Sequence, residues 1–107
     1  MRAIKESDWK ILRQLKSQAL ERICKQILLE LEQINADDTR SFYQRYLKIY
    51  EVVQQRDKEI ARIFDNLSRS TALMKLVTMK SSGLLTEEEF SRFSDETRQA
   101  VGLFLGS

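Results

Sequence analysis

The sequence holds no histidine, no proline, one cysteine and three glycines in 107 residues. Each shortage excludes something. Without histidine the commonest general acid–base group and metal ligand is missing, so histidine-dependent triads, zinc sites and Glu-x-x-His di-iron bundles drop out together. The glycines stand at 83, 102 and 106, too late and too isolated for a phosphate-cradling loop. Cys24 has no partner for an internal disulfide, and beside Ile23 and Ile27 in a helical pattern it reads as a buried structural thiol. No apolar run approaches the ~18 residues of a membrane span, and MRAIKESDWK lacks the apolar core of a signal peptide. The expectation is a cytoplasmic protein away from membranes.

Charge of one sign is also scarce. Eighteen basic and sixteen acidic residues leave a formal +2, so no strong field draws the chain to nucleic acid or anionic lipid. Residues 1–30 lean basic, with Arg2, Lys5, Lys10, Arg13, Lys16, Arg22 and Lys25 outnumbering Glu6, Asp8, Glu21 and Glu30. The acidic run Glu87, Glu88, Glu89 suits the dipole of a helix N-terminus, because adjacent helical carboxylates diverge around the axis and no calcium-loop spacing surrounds them. These absences point to no catalytic residue, no cofactor, no metal and no enzyme.

What is present is helix. With 42% apolar and 32% charged residues the chain suits a single soluble helical domain, and nothing before Gly83 forces a turn. Ser7 is placed to cap a first helix over 8–34, with an apolar stripe at Trp9, Leu12, Leu15, Ala19, Ile23, Ile27, Leu31 and Ile34. Asn35, Ala36, Asp37 and Asp38 interrupt it, and their short side chains favour a tight connection.

A long helix over 38–82 follows, with a 4-3 repeat at Phe42, Tyr46, Ile49, Val53, Arg56, Ile60, Ile63, Leu67, Ser70, Met74 and Val77. Arg56 and Ser70 depart from it; the rest is the pattern of a coiled coil or bundle seam. Asn66, Ser68, Ser70 and Thr71 compete for backbone hydrogen bonds, which allows a kink near 66–70. Gly83 then stops the helix, Thr86 and Glu89 form a capping box for a short helix over 86–93, and Ser94 caps a last one over 95–105.

Lengths suggest assembly. Unbroken, the helix over 38–82 would reach roughly 65 Å, against a radius of gyration of about 13 Å for a compact globule of this size. The shorter helices cannot cover such a seam, so the expected architecture is an all-α bundle that pairs as a homodimer. If the helix bends at Asn66–Ser70, the chain instead folds back as a four- or five-helix monomer. The interface candidates are Phe42, Tyr46, Ile49, Val53, Arg56, Ile60, Ile63, Leu67, Ser70 and Met74, with Leu84, Leu85, Phe90 and Phe93 of the C-terminal hairpin.

The segment "LMKLVTMKSSGLLTEEEFSRF" resembles the short helical hairpin at the C-terminus of many bacterial proteins, the short C-terminal (SHOCT) domain. Leu73, Leu76, Gly83, Leu84, Leu85 and the run Thr86 to Phe90 carry the likeness, while Ser91, Ser94 and Asp95 stand where that hairpin has a lysine-rich helix. The resemblance implies interaction or oligomerisation. The whole chain also resembles small helical bacterial proteins, some with a release-factor-like label, but it lacks the Gly-Gly-Gln motif of peptidyl-tRNA hydrolysis.

Two functional classes remain open. One is a non-enzymatic helical adaptor or regulator that binds another protein through its coiled-coil-like surface. The other is a nucleic-acid or ribosome-associated factor, with Tyr43, Tyr46 and Tyr50 forming a stacking rail interleaved with Arg40, Arg45 and Lys48, beside the basic first helix.

Overall fold

A computed structural model describes residues 3–106, leaving Arg2 of the basic N-terminal segment outside the described residues. The described chain is all-α: α1 (Glu6–Ala36), α2 (Phe42–Phe64), α3 (Ala72–Ser81), α4 (Glu87–Ser91) and α5 (Asp95–Phe104). α1, not a central helix, is the longest.

The single helix over 38–82 is overturned. Asp65 caps α2 and Asn66 takes a left-handed backbone at φ 57, the conformation a short amide side chain tolerates best after glycine. Thr71 secures the turn, its hydroxyl donating to the Asn66 carbonyl at 2.9 Å while accepting from the Ser68 amide at 3.0 Å. Lys75 then donates to the carbonyls of Arg62 and Asp65 at 2.5 and 2.8 Å, holding the start of α3 against the open end of α2. The break expected as a kink near 66–70 is therefore complete, and the chain folds back into five helices, within the four or five of the bent alternative.

Other boundaries move less. α1 begins at Glu6 after Lys5, so Ser7 lies inside the helix rather than capping it. α2 is capped by Ser41, whose hydroxyl accepts from the Gln44 amide while the Gln44 side chain accepts from the Ser41 amide. Thr86 and Glu89 form the expected capping box, and Ser94 caps α5. Gly83, at φ +71, completes a Schellman turn in which Leu84 N–H reaches the Met79 carbonyl at 2.9 Å.

The core is a head at one end of a long hairpin. Leu12, Leu15, Ala19, Ile23 and Ile27 of α1 pack against Ile63, Phe64, Ala72, Leu76, Met79, Leu84, Phe93 and Val101. Leu12 is wholly enclosed, and trimming it to alanine is expected to cost about 2–5 kcal/mol. Beyond Ile27 the packing thins. From residue 28 to residue 62 only Val52 is buried, so α1 and α2 project from the head as a two-helix arm. The molecule accordingly measures 51 × 25 × 24 Å, with a radius of gyration of 16.6 Å rather than the about 13 Å of a compact chain.

Candidate docking surface

The register of α2 against α1 decides what the arm presents. Val52 faces α1 at 5% exposure, whereas its neighbour Val53, about 100° further round the helix, is 44% exposed. Arg45, Lys48, Ile49, Arg56, Glu59 and Ile60 are half-buried around that contact line, and Ile63 is enclosed where the line enters the head. Long cationic side chains lie along the face that an apolar pattern reserves for aliphatics. Arg45 donates to the Asn35 carbonyl at 2.7 Å, and Arg56 reaches Glu59 at 2.6 Å and Glu30 of α1 at 3.5 Å. Their methylene stems cover α1 while their charges find carboxylates and carbonyls. Arg56, the exception in the repeat, is thus paired with named carboxylates.

The expected seam is consequently rotated out of the fold over its first half. Phe42 is 85% and Tyr46 62% exposed, with Tyr43 and Tyr50 also outward. Tyr43 and Tyr46 stack, centroids 6.5 Å apart and planes 23° apart. Below them, on the same flank of the arm, lies an open groove of about 350 Å³. Cys24, Ile27, Leu28 and Leu31 of α1 form one wall; Val53, Arg56, Asp57 and Ile60 of α2 form the other. The head leaves this flank free. Arg22, which grips α4, and Leu28, which lines the groove, are six residues apart and so point about 120° from one another around α1.

The remaining interface candidates divide. Ile63, Leu84, Leu85 and Phe93 are core residues of the head and are corrected on that ground: a side chain enclosed within its own chain has no surface to offer. Leu67 and Phe90 are half-buried against the same core. Ser70 is exposed in the turn after α2 rather than at a close helix crossing, and Met74 is exposed on α3. Phe42, Tyr46, Ile49, Val53, Arg56 and Ile60 alone form a continuous flank. Sequence reasoning missed the opposite wall, although three consecutive aliphatics, Ile27, Leu28 and Leu29, already exceed what a one-faced stripe requires.

Two polar clusters hold the head together. Arg22 forks onto both Glu89 oxygens at 2.5 and 2.9 Å and also donates to the Leu84 carbonyl at 2.9 Å. The Arg22 hydrogen bonds, with the Thr86 amide behind them, hold the Glu89 carboxyl down at about 2 against burial. Asp8, 1% exposed, accepts from the Ser94 amide, the Ser94 hydroxyl and the Thr97 hydroxyl at 2.8, 2.7 and 2.8 Å. Burial pushes the Asp8 carboxyl up, but those donors and the Lys5 charge outweigh it and hold it below its ordinary value. Both clusters are saturated by their own chain and offer nothing to a substrate.

The acidic run does not converge either. Glu87 pairs with Lys80 and Glu89 with Arg22, and among the described residues no three Cys, Asp or Glu side chains gather as metal ligands. Among them, too, no helix is long and apolar enough to cross a membrane. The chain matches no family model, no curated protein and no solved structure. What can be said of function rests on the flank.

Proposed function

We propose that this is a non-enzymatic helical interaction protein, an adaptor or regulator that assembles through the flank of its α1–α2 arm, first of all as a homodimer. One observation carries the reading: the arm from residue 28 to 62 buries a single side chain within its own chain while turning its aromatics outward. Ordering that much backbone costs about 1–2 kcal/mol per residue, which one buried valine and a thin hairpin contact offset poorly. A covering helix supplies the missing burial. The SHOCT-like capped hairpin around Gly83 and Thr86 fits the same class, since such hairpins serve interaction. A reducing cytoplasm suits the free Cys24 thiol beside the groove.

Sedimentation equilibrium tests it. The native chain is expected to behave at micromolar concentration as a species of about 25 kDa, twice the 12.6 kDa of the monomer. Tyr46→Ala combined with Leu28→Ala should return it to the monomer mass while leaving far-UV dichroism intact. A single 12.6 kDa species for the native chain would count against the assembly.

The exposed Tyr43–Tyr46 stack favours a second reading, a nucleic-acid or ribosome-associated factor using that rail and the basic first helix. The cations beside the rail already have partners in their own chain, Arg40 in Asp37, Lys48 in Glu51 and Arg45 in the Asn35 carbonyl. That weakens it as a phosphate track. A salt titration separates the two: phosphate neutralisation makes affinity fall steeply with salt, and apolar docking does not.

A further inference from the structure

We infer that the turn from Asp65 to Thr71 is a hinge, and that straightening it fuses α2 and α3 into one helix through which two copies exchange α3, α4 and α5. The second copy is placed by the contacts of the head itself, remade between chains. The inference therefore stands apart from docking through the flank.

Nothing in the turn forbids a helix, since residues 65–71 hold neither glycine nor proline. Asn66 nevertheless sits at φ 57, where any residue with a Cβ is strained, and a straight backbone relieves it. The folded-back form is held by Thr71 on the Asn66 carbonyl, by Lys75 on the Arg62 and Asp65 carbonyls, and by Arg69, whose Nε donates to the Ile4 carbonyl at 2.7 Å. A continuous helix serves the carbonyls of Arg62 and Asp65 equally well, with the amides of Asn66 and Arg69. The 4-3 repeat also crosses the turn unbroken, from Ile60 and Ile63 through Leu67 and Ser70 to Met74, a side chain that the folded-back chain leaves 40% exposed.

Straightening requires a partner. Met79 shares a core with Ile63 and Phe64, but on a continuous helix it stands about 22 Å beyond Phe64. Ala72, Leu76 and Met79 also turn about 140–180° away from Ile63. Their own α1 is then out of reach, and its core face is bared by the same change. A second chain's α1 receives them together with Leu84, Phe93 and Val101, and each Asp8 takes Ser94 and Thr97 from the other copy. The contacts of the head are all kept, so monomer and exchanged dimer differ at the hinge and in their dependence on concentration.

Chemical crosslinking on the full chain tests the exchange. Tyr46→Ala and Leu28→Ala remove docking through the flank, and Cys24→Ala removes the native thiol. Gln14→Cys and Arg92→Cys then replace exposed side chains that meet at 2.8 Å across the head. After refolding at high protein concentration, a short bis-maleimide should join these positions between chains in the dimer and within the chain in the monomer. Asn66→Ala, strained at φ 57 but at ease in a helix, should strengthen the dimer about tenfold or more, and Asn66→Gly, suited to φ 57 but poor in a helix, should weaken it by a similar factor. A dimer crosslinked only within its chains, or indifferent to both substitutions, overturns the exchange and leaves the flank reading standing. A chain that refolds only as monomer, even with Asn66→Ala, overturns it too. The flank reading fails on a different result, a native dimer whose mass ignores Tyr46→Ala with Leu28→Ala.

Discussion

Removing the Asp8 carboxylate should loosen the head where α5 meets the start of α1. Asp8→Ala strands two hydroxyl donors and one amide donor, of which the Thr97 hydroxyl is buried with its residue. A hydrogen bond to a charged group is worth about 1.5–3 kcal/mol, but these three share one acceptor and Ser94 retains its cap on the Thr97 amide at 3.3 Å, so the sum is not additive. About 2–4 kcal/mol is the expected cost, a large share of the 5–15 kcal/mol that holds a domain of this size. At roughly 4 °C or more per kcal/mol, the thermal midpoint should fall by some 10–20 °C. Asp8→Asn keeps one acceptor for the Ser94 amide, and the two hydroxyls can rotate to accept from the new amide, so about half that loss is expected. Dichroism melts as a function of pH check the reasoning. Because the folded carboxyl sits below its unfolded value, its contribution is full above that unfolded value and is lost as pH falls through the folded one. The Asp8→Ala variant should therefore converge on the native chain in strong acid. A midpoint within 2 °C of native at neutral pH, or an equal deficit at every pH, refutes the account.

Three other outcomes follow from the same geometry. Glu89 titrates near 2 folded against 4.5 free, so the native head should lose stability as pH falls from about 4.5 to about 2; Arg22→Ala should flatten that window and cost about 1.5–3 kcal/mol at neutral pH, measured by urea unfolding. Gly83→Ala meets no atom within 4 Å but must hold φ +71, so a loss of about 1–2 kcal/mol from backbone strain alone is expected in the same assay. Ser70→Leu, at an exposed turn position, should change stability by no more than about 0.5 kcal/mol; a loss above 1 kcal/mol would place a close contact there.

Local chemistry was readable where it was local. Thr86 with Glu89, Ser94 as a cap, Gly83 in a left-handed stop and the face Leu12–Leu15–Ala19–Ile23–Ile27 all follow from spacing within a few residues, and the fold keeps each of them. Asn66 to Thr71 carried the marks of a kink, but whether competing hydroxyls bend a helix or end it depends on Lys75 reaching back across the turn, which composition does not reveal. The seam of α2 misled because a period-3.5 pattern records where apolar residues lie, not whether they face the same chain. Arg45, Lys48 and Arg56 laid their stems on α1 instead, and a binary pattern scores those stems as polar. Asp8 was unreadable as a clasp, since its partners lie 86 and 89 residues away.

That separation sets an order of events during synthesis. α1 and α2 emerge first and can pair locally, but the surface of α1 that receives Leu84, Phe93 and Val101 has nothing to meet until the last quarter of the chain is made. At 5–20 residues per second, the roughly sixty residues between the end of α1 and Thr97 take about 3–12 s, far longer than a helical hairpin needs to form. A nascent chain therefore displays two unpartnered apolar surfaces at once: the bare side of α1 that awaits α3 to α5, and the outward flank of the arm. The first closes only when Ser94 and Thr97 reach Asp8. Until then a chaperone, or a neighbouring chain on the same message, has access to the interior of the head as well as to the outward flank of the arm.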